Sequence, residues 1–187
     1  MLLGFIASPK NDSRSSRFDR LVLPHLDAAY NLARWLSRDS QKAEDIVQDA
    51  CLRALRFFDG FRGEDARPWL LAIVRNTFFT SLKGRANETL RADIEDEPGT
   101  GIPLWNDVDA SDQDPAAALM RKVDRERIDR ALGRLPLEFR EVVILRELED
   151  LSYKEIAEVV ETPIGTVMSR LSRGRKLLAQ YLVAEEG

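Results

Sequence analysis

The stretch DLSYKEIAEVVETPIGTVMSRLSRGRKLL, residues 150–178, carries a helix stop at its centre, Glu161-Thr162-Pro163. Proline breaks a helix that runs through it but starts one readily, because the N–H it lacks has no partner in a first turn. The segment therefore folds as two short helices with a sharp turn between them. Apolar residues recur three and four apart on each side: Ile156, Ala157 and Val160 before the stop, then Ile164, Val167, Leu171 and Leu178. All of these are expected to be buried. Ser152 is the expected cap of the first helix, with Glu155 at the capping-box position, and Thr162 the expected cap of the second.

Charge sharpens the reading. Residues 162–181 hold Arg170, Arg173, Arg175 and Lys176 and no acid. Two short helices of which the second is basic form the pattern of a helix-turn-helix. Hydroxyls and arginines near the start of such a helix, here Thr166, Ser169 and Arg170, can reach base edges. The later Arg173, Arg175 and Lys176 suit phosphate. A carboxylate on that face would meet the charge of the nucleic-acid backbone, which accounts for its absence. The pattern alone also allows a solvated basic face or a membrane-surface helix.

The chain as a whole is acidic, net −4 over 187 residues, which at first argues against a nucleic-acid partner. The acid is concentrated, however. Residues 87–115 contain Glu88, Asp93, Glu95, Asp96, Glu97, Asp107, Asp109, Asp112 and Asp114 against the single base Arg91. That segment also holds Pro98, Pro103, Pro115, Gly99 and Gly101 and shows no sustained period, the composition of a linker.

Upstream, the period is helical over 18–36, and Ser40 is the expected cap of a helix over about 41–58 with Val47, Ala50, Cys51, Ala54 and Phe58 as its buried stripe. The turn-rich DGFRGEDAR follows, and Pro68 opens another helix. Downstream, helices are expected over 116–132, 136–147, 152–160 and 163–182. Nothing alternates with period two, so the expected fold class is all-α: two small helical domains joined by an acidic linker, the C-terminal one a helix-turn-helix. The expected boundaries are a tail over 1–17, a domain over 18–86, the linker over 87–117 and a domain over 118–187.

Several classes are disfavoured. No apolar run approaches the roughly 18 residues of a membrane span, and MLLGFIA lacks the basic flank of a signal peptide. A lone Cys51 suits a reducing compartment, and a lone His25 argues against a zinc site. No phosphate-cradling glycine loop, nucleophile elbow or metal spacing occurs, so neither an enzyme nor a cofactor is expected.

Residues 135–178 (LP, REVVIL, LSYKEIA, then PIGTVMSRLSRGR) resemble the C-terminal DNA-binding domain of bacterial sigma factors of the extracytoplasmic-function (ECF) group. AEDIVQDACLRAL at 43–55 and RPWLLAIVRN at 67–76 resemble that family's other conserved domain. The resemblance implies a cytoplasmic factor, tied in this family to stress responses, that binds core RNA polymerase and promoter DNA and is held in check by an anti-sigma factor. It implies that the first domain docks on the polymerase through Asp45, Gln48, Asp49, Leu52, Arg53 and Arg56. The same domain would capture the opened −10 element through Phe61, Arg62, Arg75, Asn76, Lys83 and Arg85, with Gly60 and Gly63 giving the loop its freedom; Phe61 reads equally as a core residue. The second domain would read the −35 duplex with the α-helical set named above. Trp69 is expected in the core, and exposed Leu52 and Met168 suit an anti-sigma contact. The competing reading is a stand-alone helix-turn-helix regulator. Two departures stand out: Thr80 replaces a frequent aspartate, and Glu161 replaces the usual turn glycine. A left-handed non-glycine there costs roughly 1 kcal/mol, so the turn is either strained or differently built.

Overall fold

Pro24 divides the expected helix over 18–36. The chain runs as α1 (Pro9–Val22), a 3-10 turn (Leu23–His25) and α2 (Leu26–Ser37). In this computed structural model residues 9–89 and 115–184 are described, with side chains over 14–83 and 124–184. Helix α1 starts inside the stretch expected as a tail. The expected linker falls mostly outside the described residues.

Asp39, rather than Ser40, caps α3 (Ser40–Phe57), accepting from the Gln41 and Lys42 N–H groups at 2.9 and 3.1 Å. Those bonds hold its carboxyl below the usual aspartate range. The buried stripe of α3 is Ala43, Ile46, Ala50 and Ala54, with Val47 and Cys51 only half-buried, so the helix is turned slightly from the expected register. α4 (Arg67–Thr89) completes the first bundle, packing on both α2 and α3.

The second bundle comprises α5 (Pro115–Arg134), α6 (Leu137–Glu147), α7 (Tyr153–Val159) and α8 (Ile164–Ala184). Among the described residues every regular element is a helix, as the period analysis requires. The capping box on α7 is present, Ser152 N donating to Glu155 at 2.7 Å and Glu155 N to Ser152 Oγ at 3.2 Å. Ile156, Val160, Val167 and Leu171 are core; Ala157 and Leu178 are half-buried. Ile164, expected inside, is 43% exposed.

Six consecutive residues of α6, Arg140 to Leu145, are buried. A helix buried all round has neighbours on all sides: α8 and α7 from its own bundle, and α2 from the other. The two bundles thus share a polar and apolar interface, continued where α4 meets α7. One of its buried ions is Arg140. Its guanidinium donates to the carbonyls of Leu132, Gly133 and Leu135 at 2.9–3.1 Å, and across the interface to Trp35 O at 3.3 Å. The C-terminal ends of α2 and α5 converge there, and their negative dipole ends replace a carboxylate. Burial first, and the neighbouring Arg38 second, lower the Arg140 pKa to about 10.

Candidate nucleic-acid interface

The turn between α7 and α8 follows from backbone accounting. Thr162 N–H reaches back to Ala157 O at 3.0 Å, closing a helix-terminating loop in which Glu161 occupies the left-handed position, φ 52°. Glu161 therefore adopts the conformation a glycine would take, and the strained alternative is the one realised. The Thr162 hydroxyl donates to Val160 O at 3.0 Å instead of capping α8 as expected. Pro163 O accepts from Thr166 and Val167 and so starts the helix.

Helix α8 lies close on α6 because Gly174 is buried between them. A Cβ there would stand 2.8 Å from Val143 Cγ2 and 3.3 Å from Phe139 Cβ. With Val167, Leu171 and Gly174 inward, Ser169, Arg173, Arg175 and Lys176 are exposed and Thr166 is half-exposed. Ser169 Oγ donates to Thr166 O within the helix. Arg175 Nε donates to Glu147 at 2.8 Å, and that bond raises its pKa. Arg170 is half-buried, 3.5 Å from Glu138 and 3.6 Å from Glu141.

The expected single-strand face is less open. Phe61 is buried, its ring 4.8 Å from Trp69 and 6.2 Å from Phe58. It belongs to the aromatic core and is no stacking platform in this conformation. Neither Gly60 nor Gly63 has a positive φ. Gly63 is needed for another reason: a Cβ would sit 2.8 Å from the Phe61 ring. Arg62 is exposed and donates to Asp59 O. Lys83 is exposed, and the Arg85 side chain lies outside the described residues.

Arg75 and Asn76 on α4 are engaged by the other bundle. Arg75 Nε and Nη2 grip Glu141 at 2.7 and 3.3 Å, and its guanidinium lies 4.6 Å over the Phe79 ring. Asn76 Nδ2 donates to Glu161 at 3.1 Å. Just over two turns back on α4, Arg67 Nη2 donates to Glu149 at 2.7 Å. Burial nevertheless pushes the Glu149 carboxyl up, with Arg67 and Asn31 opposing the shift. The family resemblance points to Arg75 and Asn76. It gives no sign of Glu141 and Glu149, which look in sequence like ordinary helix-surface acids.

On α3, Asp45, Gln48, Asp49, Leu52, Arg53 and Arg56 all face outward, Leu52 at 62% exposure. Leu55 and Phe57 are exposed beside them, giving that surface an apolar component larger than the spacing had suggested. Among the described residues no cluster of three potential metal-ligating side chains occurs, and no helix is long and apolar enough to cross a membrane.

A basic helix presented by a helix-turn-helix and packed with a second helical bundle is the arrangement of a two-domain DNA-binding factor. The description "Sigma-70 region 2" matches residues 21–88 and "Sigma-70, region 4" matches residues 125–178. The RNA polymerase sigma-H factor of Pseudomonas aeruginosa is 32% identical over 177 residues, 92% of this chain and 89% of that protein. The ECF RNA polymerase sigma factor SigE of Mycolicibacterium smegmatis is 33% identical over 165 residues; the match takes in 88% of this chain and 61% of that longer relative. Among solved structures, the sigma factor RpoE of Bartonella quintana, crystallised with the anti-sigma factor NepR, superposes with a TM-score of 0.73. It is 29% identical, and the match covers 89% of this chain and 97% of that one. The chain belongs to the ECF RNA polymerase sigma factors.

Proposed function

We propose that this chain confers promoter specificity on core RNA polymerase in the cytoplasm, by binding and not by catalysis. Helix α8 enters the −35 major groove. Ser169 and Arg170 approach base edges, while Arg173, Arg175 and Lys176 neutralise phosphate. Helix α4 contributes Arg75, Asn76, Lys83 and Arg85 to the opened −10 strand, and Arg62 flanks it. Strand opening exchanges stacking for capture of unstacked bases and needs no catalytic group. The exposed α3 face, polar with Leu52 and Leu55 among its charged residues and Phe57 at the helix end, has the make-up of a protein interface and docks on the polymerase. The complex of the Bartonella relative with its anti-sigma factor supports a like antagonist for this chain.

The observation that carries this reading is the conjunction of an acid-free recognition helix with a separate, outward-facing α3 surface. A stand-alone regulator needs the first and has no use for the second. Run-off transcription on a fragmented bacterial genomic library is the test. Discrete transcripts are expected only when chain and sigma-free core polymerase are both present. Tight, specific duplex binding by the chain alone, with no transcripts, would replace this reading with the stand-alone regulator.

A further inference from the structure

Arg14, Arg17 and Phe18 share one face of α1, and all three serve the same partner, the link between α3 and α4. Arg14 Nη2 donates to Leu55 O at 2.8 Å, and its Nε lies 2.9 Å from Asp59 Oδ1. Arg17 Nη2 donates to Phe61 O at 3.3 Å, and its guanidinium stands 5.1 Å from the centre of the Phe58 ring. Phe18 meets that ring edge-on, also at 5.1 Å. Both arginines lie upstream of residue 21, where the match to Sigma-70 region 2 begins.

The link holds two kinds of residue. Phe58, Phe61 and Ala66 are buried, whereas Asp59, Gly60, Arg62, Gly63, Glu64 and Asp65 are exposed. The exposed set carries three carboxylates against one guanidinium, and it follows the negative end of the α3 dipole. An unstacked strand brought to this surface meets like charge. Arg14 and Arg17 offset that charge from α1. Arg14 takes a carbonyl that the last turn of α3 leaves without a helical partner, and pairs with Asp59. Arg17 holds the Phe61 carbonyl while the Phe61 ring lies 4.8 Å from Trp69. At the far end of the link, Asp65 accepts from the Arg67 N–H at 2.9 Å and lies 3.8 Å from His25 Nε2. The segment is thus tethered at both ends by groups that precede α3.

Resting on the sigma-factor reading, we infer that Arg14 and Arg17 are positioning residues for capture of the −10 strand. Helix α1 clamps the α3–α4 link in one shape and offsets its acid, so that a base arriving at residues 62–65 meets a fixed set of polar groups. Base selectivity in the opened strand is then set in part by a helix that does not itself bind the strand.

Run-off transcription with sigma-free core polymerase tests this, on one promoter recovered from the genomic library and on its single-base −10 and −35 substitutions. Arg14→Gln with Arg17→Gln should shrink the ratio between preferred and disfavoured −10 templates roughly tenfold, the equivalent of one charged hydrogen bond. The −35 ratios should stay at the parent's values. Arg14→Lys with Arg17→Lys keeps the charge but not the planar fork, and its −10 ratio should fall between the two. Thermal unfolding reports the fold of each variant. Should the glutamine pair fail to fold, the lysine pair carries the test, with a reduced −10 ratio and intact −35 ratios expected. Equal weakening on every template, or −10 ratios equal to the parent's, would overturn the inference. Absence of transcripts from the parent chain would instead overturn the sigma reading.

Discussion

Replacing Arg140 by methionine keeps most of the side-chain volume and removes the charge and all five donors. Four carbonyls lose their partner: Leu132, Gly133 and Leu135 in the second bundle and Trp35 in the first. Hydrogen bonds from a charged donor contribute about 1.5 kcal/mol each at the low end, roughly 6 kcal/mol together. Against this stands the cost of keeping a guanidinium dry. A pKa lowered to about 10 from 12.5 corresponds to about 3 kcal/mol at about 1.4 kcal/mol per pH unit. The net loss is about 3 kcal/mol, a fall in Tm on the order of 10 °C for a chain of this size. Urea unfolding of the full chain followed by far-UV circular dichroism measures it. Arg140→Lys retains the charge but not the planar fork, so it should recover less than half. Should methionine cost under about 1 kcal/mol, or lysine restore full stability, the convergence of helix ends on this cation is not what holds the junction together.

Gly174→Ala forces a methyl against Val143 and Phe139. Overpacking costs of about 1–3 kcal/mol outweigh the roughly 1 kcal/mol gained in helix propensity, so urea midpoints should fall. The Glu155 carboxyl is held below its ordinary value by its hydrogen bonds to Ser152. Its folded pKa lies under the unfolded one, so its contribution is complete above the unfolded value and disappears as pH falls through the folded value. The stability gap between parent and Glu155→Gln should therefore close on acidification, in matched denaturation curves. Arg170→Ala should weaken −35-dependent initiation by about 1–3 kcal/mol if the arginine reads a base. Templates with single −35 substitutions check this, and equal weakening on all of them would make Arg170 a phosphate contact only.

The helices were legible because their punctuation is local. Pro163, the Ser152–Glu155 box and Pro136 mark boundaries that the structure keeps to within a residue or two. Pro24 is equally local and carried the same information, yet the regular apolar spacing on both sides of it masked the break. The surface of α3 was legible because its buried face is made of small, evenly spaced residues. The junction between the bundles was not, because it pairs residues 66 to 105 positions apart, and no periodicity encodes such a partner. One trace was available: Val142-Val143-Ile144-Leu145 leaves α6 without a polar side for a full turn, more than a small helix-turn-helix needs. Glu161 was conspicuous as a departure in a turn, but its reason lies on α4. Phe61, beside Gly60, Arg62 and Gly63, reads equally as a loop aromatic and as core; the folded position of Trp69 places it inside.

The fully covered α6 also sets the cost of moving the two bundles apart. Separating the bundles wets the side of α6 that α2 covers, in addition to breaking the ion pairs, and apolar area returned to water opposes the change in proportion to its extent. A partner that binds only the separated form sees its affinity multiplied by the fraction of molecules already open. Interface substitutions far from the α3 surface should therefore alter the concentration of polymerase at which half the chains are captured, leaving the docked complex itself unchanged. Variation at α6 would tune how readily this factor competes with others for a limited pool of enzyme.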